Sequence, residues 1–338
     1  MSSDISETAT IAIEPTESRL SAAPLLVLLG LVGAVALTFL LSNYHLFQLT
    51  MVVVYAIAVL GLNLVTGYNG QISLGHGAFY AVGAYITAIL MSNYDVPYWA
   101  TLPAAAIVSG ILGFAVGLPA LRLAGHYLAL STFALAVAIP QLLKYKGFED
   151  WTGGVQGIVI SKPDPPFGLP LSADQWLYLF TLAVAVLLFV AARNLVRGRI
   201  GLAMQAIRDH ALAAEAMGIH IAMFKTRTFA VSAAFAGVAG ALGAIAVAYV
   251  APDSFTLILS ITLFVGLVVG GVASIGGAVF GALFIVFVPN FADQVSKAAP
   301  GAVYGVILIA CMYLMPLGVA GLARGLFMRA RGAAARQR

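Results

Sequence analysis

Apolar residues run along this chain in blocks of about 20, separated by short polar breaks, almost from one end to the other. A block of that length crosses a hydrocarbon core about 30 Å thick as one helix. Ten blocks fit, at residues 23–42, 47–66, 74–92, 98–121, 126–143, 176–193, 228–250, 255–272, 277–291 and 302–322. The pattern therefore predicts an all-α integral membrane protein of about ten transmembrane helices, organised as a polar tail (1–22), a membrane domain (23–322) and a basic tail (323–338). Only two stretches between blocks are long, 144–175 and 193–228. Within the blocks small residues recur at helix-packing distance, as in Gly113 and Gly117, Gly237, Gly240 and Gly243, Gly266 and Gly270, and Gly277 and Gly281. Such spacing lets helix backbones approach closely and favours a compact bundle.

Composition supports the membrane as solvent. Of 338 residues, 62% are hydrophobic and 9% charged, and the mean hydropathy is +1.01. An ordinary soluble domain is roughly a quarter charged. The first 22 residues carry Asp4, Glu7, Glu14 and Glu17 against Arg19, so they lack the basic start of a cleavable signal and read as a disordered tail. An even number of spans puts both termini on one side, and five arginines in the last 15 residues make that side cytoplasmic. With that orientation, only Lys144, Lys146, Lys162 and Lys297 of the 17 Lys and Arg lie outside. Topology and anionic lipid explain the basic excess, so nucleic acid is not implied as a partner.

The spans also lack things. All 13 acidic residues fall in tails, loops or segment ends. Carriers driven by protons or sodium commonly place ionisable groups within the membrane, which disfavours a secondary carrier or passive channel. No G-x-x-x-x-G-K-[ST] is present, so the chain has no P-loop of its own for ATP. His45, His76, His126, His210 and His220 are scattered and Cys311 is alone, so no metal cluster or nucleophile with its base is assembled, which disfavours a membrane enzyme. Cys311 reads as a packing residue.

The 193–228 stretch contains the most helix-like polar segment, "GLAMQAIRDHALAAEAMGIHIAMFKTRT". Ile207, Ala211, Ala214, Met217 and Ile221 recur at steps of three or four and predict one apolar face, with Arg208 and Glu215 on nearly the same side. Gly218 is the expected stop, followed by a turn and a second short helix. Two roles fit: an interfacial helix resting on lipid, or a docking helix for a cytoplasmic partner.

Three stretches in order, "GYNGQISLGHGAFYAVGAY", "TGGVQGI" and "AIRDHALAAEAMGI", resemble the permease family of bacterial branched-chain amino acid ABC transporters, in their LivM type. The similarity runs from about Leu49 to Leu322. It implies a type II importer bundle in the inner membrane: a second homologous permease of LivH type, two cytoplasmic ATPase subunits and a periplasmic substrate-binding protein. ATP and Mg would be held by the ATPases, with no cofactor in this chain. It also implies that the 193–228 loop is the ATPase-coupling element, with Arg208, Asp209, Ala214, Glu215, Ala216 and Gly218 in the matching stretch. Related permeases serve urea or short amides, so that substrate class is the alternative.

The glycine-rich "GYNGQISLGHG" reads as a substrate pathway, through Gly67, Asn69, Gly70, Gln71, Ser73, Gly75, His76 and Gly77. Glycines permit unwound or closely packed backbone at membrane depth, tolerable only where freed polar groups face protein or a wet cavity. Asn69, Gln71, Ser73 and His76 suit the ammonium and carboxylate of a zwitterion without fixed charge. This requires the stretch to fold back into the bundle. The alternative is a tight interhelical turn with polar caps.

Overall fold

The computed structural model describes residues 22–120, 126–168, 170–297, 299–322 and 325. Apart from Ala22 and Gly325, the two predicted tails lie outside the described residues, as does Arg122. The chain divides after Leu40. The described part of the first unit is one apolar helix, α1 (Ala22–Leu40).

The second unit holds α2 (Asn43–Asn63), continued by a π-helical turn over Leu64–Tyr68, then α3 (His76–Tyr94), α4 (Tyr98–Ala120) and α5 (His126–Leu143). After α5 come α6 (Glu149–Thr152), strand β1 (Ile158–Val159), α7 (Ala173–Arg197), and the short α8 (Arg199–Asp209) and α9 (Ala211–Ala216). The long α10 (Ile221–Val247) leads to strand β2 (Tyr249–Val250), α11 (Leu257–Gly270), α12 (Gly277–Val295) and α13 (Pro300–Leu314). The protein is an all-α integral membrane protein. Among the described residues, seven helices are long and apolar enough to span a membrane, and α5 with the bent piece ending at Thr152 makes an eighth. The other two expected spans are α1 and α3, both helical. The 19-residue α3 needs less apolarity because it packs inside the bundle against α4 and α10, burying His76 and Thr87.

α10 is the axis of the unit. Its "FAVSAAFAGVAGALGAIAV" is mostly Ala, Gly and Ser, and α2, α3 and α4 all pack on it. A Cβ on Gly61 of α2 would sit 2.8 Å from the Phe235 Cβ, and one on Gly237 would sit 2.6 Å from the Ser109 Cβ of α4. Gly113 and Gly117 of α4 also face α10, whereas Gly266 and Gly270 of α11 abut Gly281 and Gly277 of α12. At one end of the bundle, β1 and β2 form a two-stranded antiparallel ribbon, Ile158 opposite Val250. Three glycines of "WTGGVQGI", Gly153, Gly154 and Gly157, have positive φ and fold that stretch against β2.

The 25-residue α7 separates the 144–175 stretch from α8 and α9 by about 37 Å at 1.5 Å per residue. Single cysteines at Gln156 and Gln205, in a Cys311→Ser background, are therefore expected to react with an impermeant thiol reagent from opposite faces, Gln205 from the cytoplasm. Labelling of both from one face would overturn the topology.

Candidate functional site

The "GYNGQISLGHG" stretch enters the bundle. α2 ends in its π-turn beside α8, where Arg208 donates from Nη1 to the Gly67 carbonyl at 3.0 Å. Gln71 next donates from Nε2 to the Lys225 carbonyl at 3.3 Å, about 6 Å along α10 from Ile221. α3 then begins at His76, level with Ser232, about 16 Å along α10. Residues between Tyr68 and His76 are thus a non-helical climb into the bundle. The expectation that the stretch folds back is met in geometry, and the simple interhelical turn is not what forms.

Several freed backbone groups are met by side chains, as the interior requires. The Leu74 amide donates to Thr132 Oγ1 of α5 at 3.0 Å, and the Gly77 amide to Ser260 Oγ of α11 at 2.9 Å. Thr66 Oγ1 donates to the Gln71 carbonyl. Gly75 and Gly77 are glycine because of these approaches: a Cβ would lie 2.8 Å from the Thr132 carbonyl oxygen and 2.6 Å from Ser260 Oγ, respectively. The polar side chains are spent inward too. The Ser232 hydroxyl donates to the Gly61 carbonyl, so its oxygen accepts from His76 Nε2 at 2.6 Å. That leaves His76 Nδ1 to accept from Ser73 at 3.0 Å. His76 joins α3, α10 and α2, and both its ring nitrogens are engaged within the protein.

Burial alternates along the climb: Asn69, Gln71, Ser73 and Gly75 are buried, Gly70 and Ile72 exposed. Ile72 is 48% exposed, and its backbone has no hydrogen bond among the described residues. Asn69 is 1% exposed, yet neither its Oδ1 nor its Nδ2 has a partner among the described residues. A buried amide group left unmet costs about 1–3 kcal/mol. A second break lies alongside. Asn63 accepts from the Ala273 amide at 2.9 Å and donates to the Ser274 carbonyl at 2.8 Å, fastening the end of α2 to the α11–α12 connection.

At the loop, the expected face is met at the buried Ile207 and Ala214 and the half-buried Ala211 and Ile221, but not at Met217, which is exposed. His210, with φ −149° and ψ 88°, interrupts the helix between α8 and α9. Ala214 is 4% exposed and turned inward, whereas Glu215, Ala216, Leu212 and Met217 are exposed. Arg208 and Glu215 do not share a side: Arg208 reaches to the break and pairs with Asp209 at 2.9 Å. Gly218 stops the helix as expected, at φ +83°, with Ile219 donating to the Ala214 carbonyl and Gly218 to that of Glu215. The expected second short helix is the start of α10, capped by His220, and it runs on into the next span. Glu215, Gly218, His220 and Lys225 border an open cleft of about 400 Å³.

Fold and site together define a multi-pass membrane protein of the broken-helix type, the construction transporters use. The chain belongs to the family described as branched-chain amino acid transport system / permease component, whose model matches residues 44–316. It is 35% identical over 279 residues to the high-affinity branched-chain amino acid transport system permease protein LivM of Salmonella typhimurium, and 34% identical to LivM of Escherichia coli. Each alignment covers 76% of this chain and 65% of the relative, so the chain spans just under two thirds of their length. LivH of Salmonella typhimurium is 25% identical over 291 residues, 79% of this chain and 91% of that protein. No solved structure matches.

Proposed function

We propose that this chain is the membrane-spanning permease subunit of an ATP-driven importer for branched-chain amino acids. It sits in the bacterial inner membrane with both termini cytoplasmic. It works beside a second, LivH-like permease, receives substrate from a periplasmic binding protein, and has no nucleotide site of its own. Two cytoplasmic ATPases hold ATP and Mg and dock on the 193–228 loop, where Glu215, Ala216, Leu212 and Met217 face outward beside the cleft. The names of the LivM and LivH relatives support the substrate class and the pairing of two homologous permeases.

The observation that carries the transport reading is Ile72. Its unpaired backbone lies between the levels of Lys225 and Ser232, and hydrocarbon does not tolerate such groups. In this reading the outer face of Gly70–Leu74 lines water, near the cytoplasmic mouth of the pathway. Substrate meets this backbone rather than His76, Ser73 and Gln71, which hold the break in place. In proteoliposomes carrying the whole importer, leucine uptake should require ATP, and a charged thiol reagent should block it in an Ile72→Cys variant. The same reagent should leave a Val306→Cys variant, on the exposed face of α13, untouched. Equal insensitivity of both variants would remove the water-lined face.

A further inference from the structure

We infer that Arg208 is a positioning residue that transmits movement of the cytoplasmic loop to the re-entrant break, rather than a contact for the ATPase. This rests on the reading that ATPases dock on the 193–228 loop. The linkage has two pins, one from each helix that flanks the docking surface. From α8, Arg208 Nη1 donates to the Gly67 carbonyl at 3.0 Å while its Nε donates to Asp209 at 2.9 Å. Its side chain is only 33% exposed, and its stem lies across Gly70, where an added Cβ would come 2.8 Å from the Arg208 Cγ. From α10, the Lys225 carbonyl accepts from Gln71 Nε2 at 3.3 Å, and Lys225 itself borders the cleft beside Glu215 and His220.

The break is therefore suspended at both of its lower positions from elements that a docked partner would push. A guanidinium locked at two nitrogens is a good transmitter of such a push: its planar fork fixes direction as well as distance. Between the pins sits Asn69, buried and without a partner among the described residues. Movement of Gly67 relative to Gln71 would carry Asn69 with it.

The test uses the complete importer in proteoliposomes, with leucine uptake and ATP hydrolysis measured on the same preparation. Arg208→Ala is expected to recover ATPase subunits normally and to hydrolyse ATP. Substrate carried per ATP should fall about tenfold, the factor associated with one charge-assisted hydrogen bond. Arg208→Lys keeps the charge but cannot serve Asp209 and Gly67 in the same fork, and is expected to fall between Arg208→Ala and the parent chain. Gln71→Ala should lower the same ratio with ATPase recovery unchanged. An unchanged ratio in Arg208→Ala overturns the linkage and leaves the docking reading intact. Loss of ATPase recovery in Arg208→Ala, when Ala216→Trp retains it, makes Arg208 a docking contact and overturns both assignments. Failure of both Arg208 variants to assemble reduces Arg208 to a folding residue and equally overturns the inference.

Discussion

Replacing Gly240 with leucine is expected to leave no assembled permease. A Cβ at this position would fall on the Tyr80 carbonyl of α3, well inside contact distance, and 3.1 Å from the Ala84 amide nitrogen. Both obstacles are backbone, so no rotamer change relieves them. α10 cannot retreat either, because Gly237 is pressed against Ser109 and Ala105 of α4, and the Phe235 Cβ lies against Gly61 of α2. Overpacking an ordinary core costs typically about 1–3 kcal/mol. Here three crossings on one helix must open together, against a total stability of order 5–15 kcal/mol. Size-exclusion profiles in detergent should show loss of the monodisperse peak. Gly301→Leu on α13, where a Cβ meets nothing within 4 Å, should keep it. A Gly240→Leu variant assembling at the parent yield would mean that α3 and α10 are not packed as described.

Glu215→Arg and Ala216→Trp, by contrast, should assemble normally and lose coupling. Both residues are exposed on α9, beside Leu212 and Met217, which are 84% and 83% exposed. Such apolar side chains next to one carboxylate suit a groove in a partner better than open water. Reversing a charge at a partly desolvated contact costs about 2–5 kcal/mol. ATPase recovery in pull-downs should therefore drop at least about tenfold, and uptake with it. A helix resting on anionic lipid gives the opposite result for Glu215→Arg: the added positive charge would bind as well or better, and transport would persist. Unchanged ATPase recovery in both variants would remove α9 as the docking site.

Much of this was legible in the sequence, for identifiable reasons. Hydropathy and small-residue spacing found the helices and their crossings, because in a membrane both follow from solvent and steric rules that act locally. The break was legible as an anomaly of glycine and amide residues. Its orientation was not. From Asn69 to Ser73 the polar side chains face in and Ile72 faces out, an inside-out alternation that membrane burial favours. Nothing in the motif itself announces that Gln71, Ser73 and His76 bond to other parts of the protein. The inward partners, Thr132, Ser232 and Ser260, are lone hydroxyls in otherwise apolar helices and carry no signal until the fold places them. The face of the 193–228 loop was legible at Ile207 and Ala214, which are buried, and not at Met217, which lies exposed past the break at His210. Arg208 read as part of the coupling stretch, and only the third dimension connects it to Gly67.

The hydroxyls that satisfy the break also set an order on biosynthesis. His76 and Gly77 take their partners from Ser232 and Ser260, 156 and 183 residues further along the chain, and Asn63 takes Ser274, 211 residues on. When α2 and α3 leave the ribosome none of these partners has been made, yet hydrocarbon is hostile to the amides that need them. The nascent stretch must therefore wait at the translocon or the lipid headgroups, and settles only after α10 and α11 have followed it into the bilayer. The most local-looking polar motif in the chain is among the last parts to reach its final bonding.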